Sequence, residues 1–471
     1  MGHLNDGASR QLRRRIQQIE CEIVRLLCDE PDWLDTHDSA SLRWALSLAR
    51  LTRIKNPDIS LGHASDRYRA ELYALLSEAL LNGINKEKIK ELLPSITVLA
   101  KKERRDLLSL FSLLTPEILD EAVRRRPLAL TMSGGGGTAF VFVGALYALE
   151  ESGITPSVIS GSSMGAILGA YRARTKHFSF DGVDALVEKT SWGKIAQSYS
   201  GPSRFGVPAT FRLYLRDVVG HEFEYEDRFM RLKDLEIPLR VCVAGLCSQS
   251  KEYDEELAAY AHAFDENPKE KSRKSKSVIS LILDFAQKPL KAVYLGGDEL
   301  TAEFDVLDAI GFSAAIPGIF HYDIMRNDPR MIALVSNLFA KEGIFRLIDG
   351  GFVDNLPMQE AINAVAEGIC DGYDPFALAL DSFSPGFNRH ILFYPLMRFA
   401  TENSRVGHEA SDLTIFFREV LSPINLVPTK KTFQYAIDHG HREFSAHLPF
   451  IRKMVGPIPD PSWLKESLIK N

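Results

Sequence analysis

The sequence predicts an α/β fold with a mostly parallel central sheet, preceded by an all-helical N-terminal region. From Pro127 onwards, short apolar runs of strand length alternate with segments of helical periodicity, an order that is typical of parallel sheets. Before that residue, apolar side chains recur only at helical spacing, and helical periodicity returns beyond Ser384. We therefore expect a helical region over residues 1–126, an α/β domain over 127–388 and a helical segment over 389–471 that packs on it.

The N-terminal region is predicted to consist of helices joined by short turns. Its first helix has apolar residues on one face, spaced by three and four positions: Leu12, Ile16, Ile19, Ile23 and Leu26. Further helices are expected around three apolar runs, which lie at 72–76, 89–93 and 107–111. These runs are separated by Asn85, Pro94 and Thr115-Pro116. The first spacing also suits a coiled-coil seam, but it lasts only about two heptads.

Composition and charge exclude several classes of protein. The chain has 471 residues, of which 45% are hydrophobic, so it can bury a large core. A formal net charge of −6 argues against a general nucleic-acid-binding protein. Five cysteines, an odd number without metal-type pairs, favour reduced thiols in a cytoplasmic protein over a disulfide framework. No run approaches the roughly 18 apolar residues of a transmembrane helix, so we expect any membrane contact to be peripheral.

The segment Gly161-Ser162-Ser163-Met164-Gly165 is the first candidate for a catalytic motif. An apolar run of strand type precedes it, and a helix of small residues is expected after it. In a sharp strand-to-helix turn the central residue is strained and exposed, and the residues two positions away on either side must be small. The spacing therefore predicts Ser163 as a nucleophile at a helix N-terminus, with Gly161 and Gly165 leaving room for the turn.

Four consecutive glycines, Gly134, Gly135, Gly136 and Gly137, follow the first predicted strand at 128–132. No side chain shields their backbone amides, which can bind an anion or a developing oxyanion. A phosphate-binding loop is the competing interpretation, but the segment lacks the Gly-Lys-Ser/Thr ending of a P-loop and the spacing of a dinucleotide-binding motif. Because the glycines shortly precede the serine turn, we predict an oxyanion hole.

A third motif, Asp349-Gly350-Gly351, follows the apolar pair Leu347-Ile348. An aspartate at a strand end next to two glycines can approach another backbone closely. Asp-Gly is also common in surface turns, so this motif by itself does not distinguish an acidic catalytic residue from a turn residue.

Together, and in this order, the three motifs resemble those of the patatin-like phospholipase family. The similarity spans about residues 128–384 and includes a fourth block, Ser313-Ala314-Ala315-Ile316-Pro317. The resemblance implies a three-layer α/β/α domain in which Ser163 and Asp349 form a catalytic dyad, with Gly350 and Gly351 supporting the acidic motif. It implies neither a metal nor a cofactor. It predicts a lipid acyl hydrolase, phospholipase A-like, whose substrate is a lipid or another acyl ester.

One position departs from the family pattern. The family usually carries a basic residue, often followed by glycine, directly after its glycine loop, whereas this chain has Thr138 and Ala139 there. The loop therefore lacks a cation that would fix the first helix of the domain or assist anion binding. The backbone amides of the glycines can still form the oxyanion hole.

Alternatives to this mechanism and function stay open on sequence alone. A Ser-His-Asp triad would need a histidine after the acid in the chain, and the candidates are His390, His408, His439, His441 and His447. The segment 438–441 also invites comparison with a metal site. We favour the dyad, because the resemblance requires no histidine. The alternative functions are a carboxylesterase, thioesterase or transacylase with the same dyad, and a non-catalytic lipid-binding or scaffolding protein.

A basic run at 269–277 is followed by an apolar run at 278–285. Cations beside apolar residues can dock on an anionic bilayer. The other interpretation, a solvated insertion loop before a core element, is slightly favoured, because most charge runs are simply solvated.

Overall fold

The computed structural model describes residues 6–80, 83–179, 191–198, 203–247, 288–370, 372, 374–383 and 394–464. The chain divides into two compact units. Residues 1–128, 365–376 and 447–471 form the first, which we call the helical unit, and residues 129–364 and 377–446 form the second, the sheet unit. The basic and apolar runs between 269 and 285 lie outside the described residues.

The elements are numbered in chain order. The described α-helices are α1 (Asp6–Asp29), α2 (Thr36–Arg50), α3 (Asp66–Leu80), α4 (Lys86–Leu110), α5 (Pro116–Arg124), α6 (Val141–Glu151), α7 (Met164–Ala173), α8 (Trp192–Ile195), α9 (Leu215–Val219), α10 (Glu299–Ala302), α11 (Val306–Ser313), α12 (Pro329–Glu342), α13 (Met358–Ala366), α14 (Tyr394–Asn403), α15 (Arg405–Ala410), α16 (Lys430–Ser445) and α17 (Leu448–Val455). The described strands are β1 (Arg53–Ile54), β2 (Ile59–Ser60), β3 (Leu128–Met132), β4 (Val158–Ser162), β5 (Ala196–Ser198), β6 (Ala209–Leu213), β7 (Glu224–Tyr225), β8 (Arg228–Phe229), β9 (Leu239–Cys247), β10 (Leu290–Leu295), β11 (Gly318–His321), β12 (Ile344–Asp349), β13 (Phe376–Asp381) and β14 (Leu413–Phe416).

The helical unit is built largely as the sequence predicts. The first helix is α1, and Ile16, Ile19 and Ile23 are buried along one of its faces. Helix α5 begins after Thr115, whose side-chain oxygen accepts a hydrogen bond from the Ile118 amide, as expected of an N-cap. The apolar faces of the helices meet in one hydrophobic core.

Two details of the helical unit differ from the expectation. Pro94 does not separate two helices but lies inside α4, which has 25 residues. The buried face of α4 continues across it from Ile89 and Leu93 to Ile96, so packing retains the helix although proline removes one backbone hydrogen bond. The unit is also not entirely helical, because β1 and β2 form a short antiparallel hairpin around Asn56-Pro57.

The sheet unit contains the mostly parallel central sheet that the sequence predicts. Its strand order is β10-β9-β4-β3-β13-β14, and β12 pairs with β9 outside this path. The pairs β3–β4, β4–β9 and β13–β14 are parallel, whereas β10 and β12 run antiparallel to β9. The expectation of helices alone after Ser384 is wrong at β14, a four-residue strand beside β13. The strand is too short to be recognised in a sequence segment whose surroundings are helical.

The smaller sheets and the helices complete the sheet unit. Strand β6 pairs with β11 in parallel and with β5 in antiparallel orientation, and β7 and β8 form a hairpin. Helix α6 crosses α16 at two glycines: a Cβ on Gly144 would overlap the backbone of Ile437, and a Cβ on Gly440 would overlap that of Val141. Across the described ranges, the helices lack the combination of length and apolar character that a membrane span requires.

A buried ion pair in the helical unit provides a test of this packing. Arg104 donates from Nε and Nη2 to the two carboxylate oxygens of Asp120, at 2.8 and 2.7 Å, and both side chains are almost completely buried. We expect Asp120→Ala to lower the free energy of unfolding by about 3 kcal/mol, because the arginine charge stays buried without its partner. Urea unfolding followed by tryptophan fluorescence measures the change.

The matched control is the next residue of the same helix. Glu121 pairs with Arg125 on the surface, where the two side chains are 48% and 78% exposed. Glu121→Ala should change the free energy of unfolding by less than about 1 kcal/mol. Equal effects of the two substitutions would contradict the importance of the buried pair.

Candidate active site

Ser163 occupies a sharp turn between the sheet and a helix. Strand β4 ends at Ser162 and α7 begins at Met164, so Ser163 is the residue between them, with φ 52° and ψ −125°. A positive φ is strained for a residue with a side chain. The turn is also tight, because a Cβ on Gly161 would lie 2.7 Å from the Gly165 carbonyl carbon. The small residues on either side of Ser163 are therefore a steric requirement of the turn.

Ser313 at the end of α11 holds the strained backbone of Ser163. The Ser163 amide donates to Ser313 Oγ at 2.9 Å, and this hydroxyl donates in turn to the carbonyl of Cys242 at 2.7 Å. All three residues are buried or nearly so. Ser313 thus links the serine turn to β9. The sequence block that begins at Ser313 was recognised from the motifs, but no local pattern predicted the hydrogen bond between Ser313 and the Ser163 amide.

Asp349 is the last residue of β12, and it is held at three points. Its amide donates to the Ala315 carbonyl at 2.9 Å, and its Oδ1 accepts from the Gly351 amide at 2.8 Å. Strand β12 pairs it with Val243 of β9. The other oxygen, Oδ2, is buried without a hydrogen bond of standard geometry among the described residues. One carboxylate oxygen is therefore fixed and the other is open.

The environment of Asp349 makes it an unusually strong base for a carboxylate. Burial raises its pKa from 3.8 to about 7, because the charged form loses its water. The neighbouring Ser163 hydroxyl and the Gly351 amide favour the charged form and offset part of that rise. The Ser163 side chain is thus close enough to lower the pKa of the Asp349 carboxyl group.

The pairing of β9 explains why Ser163 and Asp349 are neighbours. Strand β4 runs parallel to β9 and pairs Ser162 with Cys242, whereas β12 runs antiparallel to β9 and pairs Asp349 with Val243. The two strands therefore end facing each other against consecutive residues of one strand. Gly350 takes part in this junction, since a Cβ there would overlap the Cys242 carbonyl and lie 2.7 Å from Ser162 Oγ.

The glycine loop lies beside the two residues. The amides of Gly134 and Gly137 donate to the carbonyls of Asn355 and Pro423, at 3.2 and 2.9 Å. Those of Gly135 and Gly136 have no backbone acceptor within the described ranges, and both glycines line a cavity together with Ser163 and Asp349. Gly136 has φ 56°, a conformation suited to glycine. The loop thus keeps two amides available and uses two to hold its shape.

Thr138, at the position where a cation was expected, has a different role. Its hydroxyl donates to the Gly135 carbonyl at 2.9 Å and lies 2.8 Å from the Ser382 hydroxyl. The side chain is 1% exposed. Thr138 therefore fixes the turn of the glycine loop through a neutral hydrogen bond.

Further contacts fix the loop that follows Asp349. Asn355 Nδ2 donates to Ser404 Oγ at 3.1 Å, and Asn403 Nδ2 donates to the Gly351 carbonyl at 2.9 Å. Sequence analysis missed Asn403 and Ser404, because about fifty residues separate them from the loop they hold and they belong to no motif.

The histidines proposed for a triad have other partners. His408 Nε2 lies 2.7 Å from Asp381, His439 Nδ1 lies 2.8 Å from Glu419, and His441 Nε2 lies 2.8 Å from Glu151. His447 precedes α17 in the helical unit, and His390 lies outside the described residues. Among the residues that are described, no histidine lines the cavities at Ser163, and no group of three acidic, histidine or cysteine residues is arranged for a metal.

Two cavities meet at Ser163 in the described structure. The first extends between α6, α7, α9 and β6, and its lining is apolar apart from Ser163 and Tyr171. The second contains Asp349, Gly135 and Asn355, and its remaining lining is mostly apolar. Ser163 and Gly136 line both cavities. Ser163 and Asp349 thus lie in surroundings that suit an apolar molecule.

A strained serine, a buried aspartate and a glycine loop thus lie together in an apolar cleft of the sheet unit. Residues 130–362 match the family model described as patatin-like phospholipase. The chain therefore carries a patatin-like phospholipase domain, which confirms the resemblance inferred from the motifs. Comparison of the chain with curated proteins yields no match. The family suggests lipid acyl hydrolase activity in general.

The contact between Ser313 and Ser163 leads to a testable expectation. In Ser313→Ala the Ser163 amide and the Cys242 carbonyl both lose a hydrogen-bond partner in a buried environment. We expect the free energy of unfolding to fall by about 1–3 kcal/mol, and the labelling of Ser163 by a fluorophosphonate to slow. Urea unfolding and mass spectrometry of the labelled protein measure the two effects.

Ser336→Ala is the control for Ser313→Ala. The Ser336 hydroxyl is exposed and donates to the Ile332 carbonyl one turn earlier in its own helix. Its removal should leave both measurements unchanged. Wild-type stability and labelling in Ser313→Ala would refute the supporting role of Ser313.

Proposed function

We propose that this protein is a lipid acyl hydrolase of phospholipase A type that cleaves ester bonds through an acyl-enzyme on Ser163. Asp349 is the general base, and the amides of Gly135 and Gly136 form the oxyanion hole. The observation that supports this most directly is the junction on β9, where β4 and β12 end facing each other at Ser162 and Asp349. Oδ2 of Asp349, the oxygen that is not bonded to the Gly351 amide, is the one available to the serine proton.

The main chemical difficulty of a serine–aspartate dyad is the weakness of the base. An ordinary carboxylate has a pKa far below that of a serine hydroxyl. A pKa of about 7 for Asp349 instead of 3.8 narrows this gap by roughly three units, and each unit corresponds to about 1.4 kcal/mol of the proton-transfer free energy. Burial therefore supplies part of the basicity that a histidine provides in a triad.

The glycine loop supplies the second contribution. Loss of one oxyanion donor typically costs about 3 kcal/mol of transition-state stabilisation. Gly135 and Gly136 offer two amides on the cavity side, whereas the amides of Gly134 and Gly137 maintain the loop through Asn355 and Pro423. No cation is needed for this arrangement, because Thr138 holds the turn.

The reaction proceeds in two halves. Ser163 Oγ bonds to the ester carbonyl carbon as its proton passes to Asp349 Oδ2, and the carbonyl oxygen gains negative charge beside the loop amides. The carbon–oxygen bond to the alcohol then breaks, and Asp349 returns the proton to the leaving oxygen. In the second half, water attacks the carbonyl carbon of the acyl-enzyme and gives a proton to Asp349. The bond between this carbon and Ser163 Oγ then breaks, Asp349 returns the proton to Ser163 Oγ, and the acid is released.

The dyad is tested by three substitutions at the junction. Ser163→Ala and Asp349→Asn should each lower kcat for phosphatidylcholine and p-nitrophenyl butyrate by at least about a thousandfold, because each removes a group that takes part in bond formation or proton transfer. Circular dichroism should show that both variants stay folded.

Ser162→Ala is the matched control for the nucleophile. Ser162 is adjacent, completely buried, and its hydroxyl has no hydrogen-bond partner in the described part of the chain. It should keep activity within a few fold of the wild type. Full activity in Ser163→Ala, or loss of activity only in Ser162→Ala, would refute the mechanism.

The pKa of Asp349 predicts the pH dependence of the reaction. The base must be ionised, so kcat/KM should rise with pH and level off above about pH 7. Asp354 is a nearby carboxyl group whose pKa is also raised by burial, to about 6, and it accepts a hydrogen bond from the Tyr294 hydroxyl. In Asp354→Asn the inflection of the kcat/KM profile should stay near pH 7. Loss of this inflection in the Asp354→Asn variant would instead assign the titration to Asp354. A profile with its inflection near 4 would show that Asp349 is not a base in a buried site.

A further inference from the structure

The two cavities at Ser163 differ in one respect that bears on the substrate. Both are lined by Ser163 and Gly136, so an ester carbonyl bound at the serine borders both cavities. Only the second is lined by Asp349. The roles of Ser163 and Asp349 used below are those of the proposed function, on which the inference rests.

Proton transfer decides which side of the ester enters which cavity. When the tetrahedral intermediate collapses, the bond between the carbonyl carbon and the alcohol oxygen breaks, and this oxygen takes the proton that Asp349 received from Ser163. The leaving oxygen must therefore lie on the side of Asp349, in the second cavity. The acyl chain, which stays bonded to Ser163 Oγ, must extend into the first. When the alcohol leaves the second cavity, water can enter there, and the Asp349 carboxylate can take a proton from it.

The first cavity has the lining expected of an acyl-chain site. Its walls come from α6, α7, α9 and β6, and they include Val143, Ile167, Leu168, Leu213 and Val219. A chain that leaves water here gains up to about fourfold in binding for each methylene group.

The second cavity is also apolar beyond the reacting groups. Its walls include Phe352, Phe383, Phe399, Ala400 and Ile424. Among the described residues that line either cavity, Asp349 is the one aspartate, glutamate, lysine, arginine or histidine. An alcohol that is small and strongly hydrated would leave this surface uncovered, whereas an alcohol that carries its own hydrocarbon chain would cover it.

We propose that the substrate is a two-chain lipid ester, with the scissile acyl chain in the first cavity and the chain carried by the alcohol part in the second. Diacylglycerols and diacyl phospholipids share this chemistry. The walls of the two cavities then set separate preferences, one for the acyl group and one for the alcohol.

Two filling variants test this assignment. Ile167 on α7 lines only the first cavity, and Ala400 on α14 lines only the second. One substrate series varies the acyl group from butyrate to palmitate as p-nitrophenyl esters. The other keeps butyrate and varies the alcohol from ethyl to hexadecyl. For each variant the kcat/KM of the longest substrate is divided by that of the shortest, so a general loss of activity or of folded protein cancels.

Ile167→Trp should lower the long-to-short ratio at least about tenfold in the acyl series and leave the alcohol series at the wild-type ratio. Ala400→Phe should do the reverse. Equal changes in both series, or changes in the opposite series, would overturn the assignment while leaving the proposed hydrolysis intact. Failure of the wild type to hydrolyse any ester would overturn both.

Natural lipids test the two-chain requirement directly. Dioleoylglycerol and dioleoyl phosphatidylcholine are compared with monooleoylglycerol and oleoyl lysophosphatidylcholine in the same mixed micelles. Each two-chain lipid that is hydrolysed should react at least about tenfold faster than its one-chain counterpart. The headgroup of the faster-reacting two-chain lipid shows whether the substrate is a diacylglycerol or a diacyl phospholipid. Faster hydrolysis of the one-chain lipids in both pairs would overturn the inference.

Discussion

Strand β9 is the element on which the candidate site depends. It pairs with β4 on one part of its edge and with β12 on the next part, and these two strands run in opposite directions. Their ends therefore meet at Cys242 and Val243, and the residue after β4 and the last residue of β12 are brought together. A register shift of one residue in the pairing of β12 with β9 would turn Asp349 to the other face of the sheet. The backbone ladder, more than any side-chain contact, thus sets the spacing of the site.

The cost of this arrangement is visible in the two central residues. Ser163 has a strained backbone, and Asp349 is a buried carboxyl group whose Oδ2 has no hydrogen bond of standard geometry to any residue that the structure describes. Because the folded-state pKa of Asp349 is raised from 3.8 to about 7, the folded protein binds the proton more tightly than the unfolded chain does. This group therefore lowers stability as pH rises through that interval. The surrounding contacts of Ser313, Ala315 and Gly351 offset the cost with hydrogen bonds to the same two residues.

The glycine loop illustrates how a neutral network can replace a charge. The turn is held by the Thr138 hydroxyl, and its outer amides are bonded to Asn355 and Pro423. These partners come from the acidic-motif loop and from the segment after β14, which lies beyond the family match at 130–362. The C-terminal part of the chain therefore contributes to the shape of the loop.

The amino-acid sequence by itself determined the local features of this protein. The strands β3 and β4, the amphipathic first helix, and the small residues around Ser163 follow from periodicity and steric limits, which act between close neighbours in the chain. The tertiary structure alone decided the remainder: the continuity of α4 through Pro94, the strand β14, which two loop amides stay available, and the contacts of Ser313 and Asn403. These depend on packing and hydrogen bonds between residues tens to hundreds of positions apart, and no local pattern encodes them. Ser163 and Asp349 are likewise far apart in the sequence, and the pairing of β4 and β12 with β9 brings them together.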